Sequence, residues 1–251
     1  MRLASSALAL LLTSCALAAE PALRFSIAQS WTMPLVQVDD GQAHGGILYD
    51  LMSSLARQVG VPAEFYVIPR KRLQAAMENG QIDVRCYAAQ SWLPNLSGDY
   101  IWSIPVMQQR DILVAQVGDD APVDISRLKD EKIGTVLGFI YPILQPGFDK
   151  GLLQRDDARN QYQVLEKLLA HRYRYAASNE LTVNWLNHQL PPAQQLHEVA
   201  EIQDLQLGCY VRNDPAVPVQ RVLRTLLRMK MSGEVDDLVR HYNGLPVGQS
   251  R

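Results

Sequence analysis

The chain alternates between two spacings of its apolar residues. Short continuous apolar runs predict buried β-strands, and apolar residues three and four positions apart predict amphipathic helices. The predicted strands span residues 23–28, 63–68, 82–87, 111–117, 132–136, 173–177 and 205–211. The predicted helices span residues 46–59, 71–78, 125–128, 143–148, 162–170, 181–188, 217–231 and 234–242. Strands and helices alternate in two blocks, which predicts an α/β fold with two lobes, each a mostly parallel sheet flanked by helices.

The first nineteen residues have the pattern of an export signal. Arg2 precedes an apolar run at 3–12, and small residues at 16–19 offer cleavage positions. The run is too short to span a bilayer, which takes about 20 residues. Residues 12–15 also resemble a lipobox, in which Cys15 would carry a lipid anchor, but we favour ordinary cleavage near Ala19. We therefore expect secretion into the periplasm of a Gram-negative bacterium.

Composition narrows the classes of function. About 230 residues remain after the leader, enough for two lobes of roughly 100 to 130 residues each. A hydrophobic content of 47% supports a full apolar core, and a formal charge of −2 argues against nucleic-acid binding, which favours a concentrated basic patch. The histidines stand at positions 44, 171, 188, 197 and 241 without metal-ligand spacing. We therefore expect no metal and no cofactor.

Six short motifs follow one another in an order found in a known family. They are Trp31-Thr32-Met33-Pro34, Gly46-Ile47-Leu48-Tyr49-Asp50-Leu51, Gly80-Gln81-Ile82-Asp83, Ser103-Ile104-Pro105, Ile133-Gly134-Thr135-Val136-Leu137-Gly138 and Arg174-Tyr175-Ala176-Ala177-Ser178-Asn179. In this order the chain resembles the two-lobed periplasmic solute-binding proteins of the polar amino-acid type, the bacterial extracellular solute-binding family 3. Each motif is weak alone, and the resemblance rests on their order over nearly the whole chain after the leader.

The resemblance implies a type II periplasmic-binding-protein fold. Residues 20–116 with 208–251 would form lobe 1, residues 117–207 would form lobe 2, and crossing strands would join the lobes. The implied function is binding of a small polar or anionic solute between the lobes, by a monomer that delivers it to an ABC-transporter permease or a membrane sensor kinase. The alternative is a periplasmic enzyme of the dehydratase or lyase type on the same scaffold.

The charged anchors of the amino-acid binders are missing at the matching positions. Their Thr-Pro-x-Arg loop corresponds here to Leu93-Pro94-Asn95-Leu96, without the arginine that grips a ligand carboxylate. Their aspartate for the ligand amino group corresponds to Asn179. We therefore favour another polar solute over an amino acid. Arg85, near the end of the central strand, would either anchor an anionic group or pair with Asp83.

Other polar and aromatic side chains are expected around the cleft. The predicted ligand-contacting residues are Trp31, Arg72, Arg85, Tyr87, Trp102, Ser103, Gly138, Tyr141, Asn179 and Glu180. Arg72 is preferred to Arg70 because related binders place an arginine near it, although a solvated helix face is the favoured interpretation of both. The aromatic residues could equally pack in the core. Glu180 is expected to form an ion pair rather than to act as a general acid or base. No catalytic residue is predicted.

Two cysteines, Cys86 and Cys209, remain after the leader. Export leads to an oxidising compartment in which a disulfide persists. In the fold that the resemblance implies, both cysteines lie on strands of the same lobe. A Cys86–Cys209 bridge and two buried thiols are both compatible with this placement.

Overall fold

The computed structural model describes residues 21–93 and 98–244. The leader with Cys15, and Pro94, Asn95 and Leu96 of the loop discussed above, lie outside the described residues. The first half contains β1 (Leu23–Ala28), β2 (Gln37–Asp39), β3 (Gln42–Gly45), α1 (Ile47–Val59), β4 (Ala63–Ile68), α2 (Leu73–Glu78), β5 (Val84–Ala88), β6 (Tyr100–Trp102) and β7 (Met107–Gln116). The second half contains β8 (Glu131–Val136), α3 (Gln145–Asp149), β9 (Leu153–Ala158), α4 (Gln161–Leu169), β10 (Tyr175–Asn179), α5 (Glu180–Asn187), β11 (Leu196–Arg212), α6 (Val219–Met231) and α7 (Glu234–Tyr242). Short 3₁₀ turns occur at Arg70–Arg72, Gln90–Trp92, Ile125–Arg127 and Pro192–Gln194.

Most strands form one continuous curled sheet. Its order is β4-β1-β5-β11-β7-β10-β8-β9, with β6 also paired to β11. The two ends are parallel, because β1 pairs with β4 and β5, and β8 pairs with β9 and β10. The middle is antiparallel: β11 pairs with β5, β6 and β7, and β7 pairs with β10. The predicted α/β class, with two parallel sheets joined by crossing strands, is confirmed.

The apolar core is divided in the same way as the sheet. One cluster gathers β1, β5, α1 and α6, where Val222, Leu226 and Met229 form the fully buried stripe of an amphipathic helix. Two further clusters cover the two faces of the sheet around β8 and β10. A parallel sheet with both faces covered is typical of α/β proteins.

Four strands, β2, β3, β6 and β9, are absent from the prediction, and a fifth, β11, is longer than predicted. The sequence of β9 is LQRDDA, which has no apolar periodicity to detect. β11 is 17 residues long, whereas the prediction began it at residue 205. Its first part carries Glu198, Glu201 and Asp204, and it becomes a strand by pairing with β7 across two register shifts.

Cys86 and Cys209 form a disulfide, with an S–S distance of 2.03 Å. They face each other in the antiparallel pair of β5 and β11. The bridge therefore fastens the central strand of the first half to the strand that returns from the second half. Both residues are almost fully buried, which also accounts for the apolar character of their surroundings.

Asp83, the last residue of the Gly80–Asp83 motif, has a structural role. Its carboxylate accepts hydrogen bonds from Arg24 Nη2 at 2.7 Å and from Arg212 Nη2 at 2.8 Å, and from the Arg24 backbone N–H at 3.1 Å. Burial raises the pKa of Asp83, but these hydrogen bonds outweigh it and lower the pKa below its ordinary value. Asp83 is therefore occupied by Arg24 and Arg212, and Arg85 is not its partner.

Candidate functional site

A cavity of about 260 Å³ lies where the two halves of the sheet face each other. Its walls come from the segments that follow β1, β5 and β8, from the start of α4, and from the crossing strands β7 and β11. The carboxyl ends of strands in an open α/β sheet are the usual place for a ligand. The lining residues are Trp31, Leu35, Arg70, Tyr87, Ser91, Trp92, Gln109, Asp111, Phe139, Ile140, Pro142, Gln161, Gln203 and Leu205.

Arg70 brings a positive charge into this cavity. It begins the 3₁₀ turn after Pro69, and its Cζ lies 5.6 Å from the centre of the Trp92 ring and 4.6 Å from that of Phe139. Burial, and then the charge of Arg85, lowers the pKa of Arg70 to about 10, so the guanidinium stays charged at neutral pH. Among the described residues, none accepts a hydrogen bond from the Arg70 side chain, and none forms an ion pair with it.

Asp111 brings a negative charge to the same cavity. It is only 4% exposed, and its carboxylate accepts hydrogen bonds from Gln109 Nε2 at 2.8 Å and from Gln203 Nε2 at 2.6 Å. Burial raises the pKa of Asp111, and the two amides and the charge of Arg70 only partly oppose that rise. Gln109 and Asp111 share one face of β7, and Gln203 is the register partner of Asp111 on β11. The crossing strands thus hold the carboxylate in one orientation.

Arg70 and Asp111 influence each other electrostatically without touching. Each contributes to the pKa of the other, yet they form no ion pair within 4.0 Å. A buried charge is costly unless a counter-charge or hydrogen bonds compensate it. Two opposite charges that share a cavity and leave space between them are suited to a ligand that contacts both.

Tyr87 joins the two halves of the structure at the cavity wall. Its hydroxyl accepts a hydrogen bond from Asn179 Nδ2 at 2.8 Å, and its ring meets Trp31 edge-on at 5.8 Å. Burial first, and then the charge of Asp111, raises the pKa of Tyr87 well above its ordinary value, so the phenol keeps its proton. That proton has no acceptor among the described residues and is available to a ligand. Asn179 itself is occupied, because its Oδ1 caps α5 by accepting from Leu181 N at 2.8 Å.

Gln161 adds a donor at the start of α4. Its Oε1 accepts hydrogen bonds from Ser178 Oγ and from Asn179 N, both at 3.0 Å. This fixes the side chain, and its NH₂ group has no acceptor within the described parts of the chain. Arg70, Tyr87 and Gln161 therefore present donors to the cavity, and Asp111 presents an acceptor.

The structure brings only part of the predicted set to the cavity. Trp31 and Tyr87 line it, and Asn179 and Tyr141 stand behind the lining, Tyr141 accepting a hydrogen bond from Val136 N at 3.2 Å. Gly138 lies in the exposed loop after β8, with φ of 79°, opposite the Lys71 side chain. The ligand contacts proposed for these residues stay predictions.

The remaining predicted residues lie outside the cavity lining, and their contacts are structural. Arg85 is buried and donates to Tyr210 Oη at 3.2 Å, and Trp102 packs on the same tyrosine ring at 4.8 Å. Ser103 Oγ accepts from Cys209 N at 2.9 Å. Glu180 pairs with Arg110 at 2.9 Å.

Arg70 and Arg72 belong to the same 3₁₀ turn but have different surroundings. Arg72 is exposed and outside the cavity lining, whereas Arg70 lines the cavity. Residues two positions apart in a 3₁₀ turn point about 120° apart around the turn axis, because each turn takes three residues. The ligand contact proposed for Arg72 stays a prediction.

Several cavity residues were missed at the level of sequence. Gln109 and Asp111 carried only a weak signal, because they belong to a run of four polar residues at 108–111 that leads directly into the apolar run at 112–115. Gln161 and Gln203 carried none, since their position depends on the register of β11 and the start of α4. Among the described residues there is no group of three or more His, Cys, Asp or Glu side chains able to hold a metal ion. In that same part of the chain, no helix is long and apolar enough to cross a membrane.

Comparison with known proteins identifies the family. The model of the bacterial extracellular solute-binding proteins, family 3, matches residues 23–245, and the chain belongs to that family. No curated protein sequence matches the chain.

Solved structures with this fold are similar in shape and distant in sequence. An ancestral arginine-binding protein bound to arginine has a TM-score of 0.72 and 20% identity over 88% of this chain and 97% of its own. The GluR0 ligand-binding core in complex with L-glutamate has a TM-score of 0.73 and 12% identity over 91% and 99%. The ancestral amino acid-binding protein AncCDT-1, a precursor of cyclohexadienyl dehydratase, has a TM-score of 0.70 and 17% identity over 88% and 95%. At these identities the likeness shows the fold alone.

Proposed function

We propose that this protein binds a small polar solute in the cavity, with an anionic group of the solute at Arg70 and a cationic or hydrogen-bond-donating group at Asp111. The observation that carries the proposal is the pair of opposite, unjoined charges in one buried space. The solute is enclosed between lobe 1 (residues 20–116 with 208–251) and lobe 2 (residues 117–207). The separate apolar clusters on the two sides of the crossing strands support this division.

Arg70 supplies the anion site. A guanidinium donates two parallel hydrogen bonds to a carboxylate or phosphate, and such charge-assisted bonds are stronger than neutral ones. The rings of Trp92 and Phe139 hold the guanidinium by cation–π contact and leave its N–H groups without a protein acceptor among the described residues. Arg70 thus provides the arginine for the anionic group of the ligand, a role that the sequence suggested for the loop at 93–96 or for Arg85.

Asp111 supplies the opposite end. Gln109 and Gln203 donate to its carboxylate, but neutral amides do not cancel its charge. A ligand ammonium or N–H donor would do so and would lower the raised pKa of Asp111. Amino acids are dipolar ligands of this kind, so they return to the candidates, and two proteins of the same fold bind arginine and L-glutamate.

The wider role follows from the family. An extracellular solute-binding protein that closes around its ligand is stabilised in the closed form by the ligand's higher affinity for that form. We infer that the chain acts as a monomer in the periplasm of a Gram-negative bacterium. It would present the closed form to an ABC-transporter permease or to a membrane sensor kinase.

The test is a binding screen by thermal shift and calorimetry on wild type, Arg70→Gln and Asp111→Asn. The panel holds monocarboxylates, amines and molecules that carry both groups. Only the last class should bind well, and loss of a charge-assisted bond in Arg70→Gln should weaken it by about 1.5 to 3 kcal/mol, roughly 10- to 100-fold. Asp111→Asn should weaken the binding of molecules that carry both groups and leave the weak binding of monocarboxylates unchanged.

Arg72→Gln is the matched control, because it removes the same charge two residues away on the exposed side of the turn. Equal losses in the Arg70 and Arg72 variants would contradict the assignment of the anion site. Each ligand is also recovered after incubation and identified chemically. Recovery of the ligand unchanged supports the binding function. Conversion of the ligand into another compound would instead support the alternative, an enzyme of the dehydratase or lyase type.

A further inference from the structure

The outward face of α6 carries a concentration of positive charge that the solute site does not use. The helix reads VQRVLRTLLRMKM and contains three arginines, one lysine and no acidic residue, in a chain whose formal charge is −2. Its apolar stripe is buried in the core. The exposed face, which we call the α6 outer face, consists of Arg221, Arg224, Leu227, Arg228 and Met231.

Two properties distinguish this face from an ordinary solvated helix. Arg224 and Arg228 form no ion pair with any described carboxylate, whereas Lys230 on the flank is neutralised by Asp236 at 2.9 Å. Leu227 is 45% exposed and Met231 is 78% exposed. Unpaired arginines mixed with exposed apolar side chains on one helix face are typical of a surface that meets anionic lipid headgroups and the adjoining acyl boundary.

The end of α1 holds this face in place. Arg221 donates to Val59 O at 3.4 Å, and Arg228 donates to Gln58 Oε1 at 3.2 Å. The contact of Arg228 with a neutral amide orients its guanidinium and does not cancel its charge.

We propose that the α6 outer face docks on a membrane surface rich in anionic phospholipid. Arg224 and Arg228 bind the headgroup phosphates, and Leu227 and Met231 enter the headgroup layer. None of the residues of this face lines the cavity. The solute site remains free while the protein is docked.

The experiment is co-sedimentation of the purified full-length exported protein with two sets of vesicles. One set is phosphatidylcholine, and the other adds phosphatidylglycerol. Comparison of the two sets removes any contribution from a lipid anchor. Wild type should prefer the anionic vesicles, and the preference should weaken as salt is raised, because salt screens charges at a surface. The double variant Arg224→Gln/Arg228→Gln should bind them roughly 10- to 30-fold more weakly, from about 1 kcal/mol for each charge.

Two further variants keep the result interpretable. Arg159→Gln/Arg172→Gln removes two exposed arginines from the other half of the chain and should bind as wild type does. Arg224→Lys/Arg228→Lys keeps the charge and should retain most of the binding. Equal binding to both vesicle sets, no binding to either, or equal loss in the control variant would overturn the proposal. So would an oligomer that forms without vesicles and depends on Arg224 and Arg228, since the face would then bind a second copy.

Discussion

The protein treats buried charge in two different ways. At the start of β5, Asp83 is enclosed by two arginines that donate to both of its oxygens, so the chain satisfies this carboxylate by itself. In the cavity, Asp111 is held by two neutral amides and Arg70 by two aromatic rings, and neither charge has an ion-pair partner in the described parts of the chain. The first arrangement stabilises the fold. The second orients charges toward a space that a ligand can fill.

The largest expected effect lies in the Asp83 cluster. Asp83→Ala leaves Arg24 and Arg212 without their shared carboxylate, and breaking a buried pair costs about 3 kcal/mol of the free energy of unfolding. Urea denaturation measures this loss. Asp119→Ala, which breaks an exposed pair with Arg174, is the control and should cost less than about 1 kcal/mol. A similar loss in both variants would mean that the Asp83 cluster contributes no more than a surface pair.

Arg70→Gln should weaken solute binding and leave the stability of the fold almost unchanged, the opposite of what is expected for Asp83→Ala. Because Arg70 has no ion pair among the described residues, its removal should change the free energy of unfolding by less than about 1 kcal/mol, as for substitutions away from structural networks. The same urea titration, without solute, tests this. If Arg70→Gln destabilises the protein as much as Asp83→Ala, Arg70 is a structural residue and the contrast between the two regions fails.

The smallest effects are in the pH dependence of stability, and they have opposite signs. Asp83 has a lowered pKa in the folded state, so its contribution is present above the unfolded value and is lost as pH falls through the folded pKa. Asp111 has a raised pKa, so the folded state binds the proton more tightly, and its contribution is lost as pH rises from the unfolded value through the folded pKa. Unfolding titrations from about pH 2 upward, a range that extends well below the ordinary carboxyl pKa of about 3.9, measure both effects.

Asp111→Asn should therefore raise the stability at neutral pH relative to that at acid pH. Asp83→Asn should lower the stability at neutral pH relative to that at acid pH. Shifts of the same sign in the two variants would show that the two carboxylates do not have different environments.

The residues of the candidate site show how far sequence reasoning reached. Trp31 and Tyr87 could be predicted because each follows a recognisable buried strand, and strand ends mark the ligand edge of an α/β sheet. The ligand role of Arg85 stays a prediction, because Arg85 lies outside the cavity lining and donates to Tyr210 Oη at 3.2 Å, a contact set by the pairing of β5 with β11. Gln203 needed the register of β11 against β7, which two bulges shift.

The sequence by itself determined the alternation of strands and helices and the order of motifs by which the chain resembles its family. These depend on spacing along the chain, which apolar periodicity records directly. Only the tertiary structure decided that Cys86 meets Cys209, that Arg70 rather than Arg72 enters the cavity, and that Asp111 faces it. The physical reason is that each of these outcomes depends on strand register or on the rotation of a single turn. A shift of one residue in a strand, or a small rotation of a turn, sends a side chain to a different side.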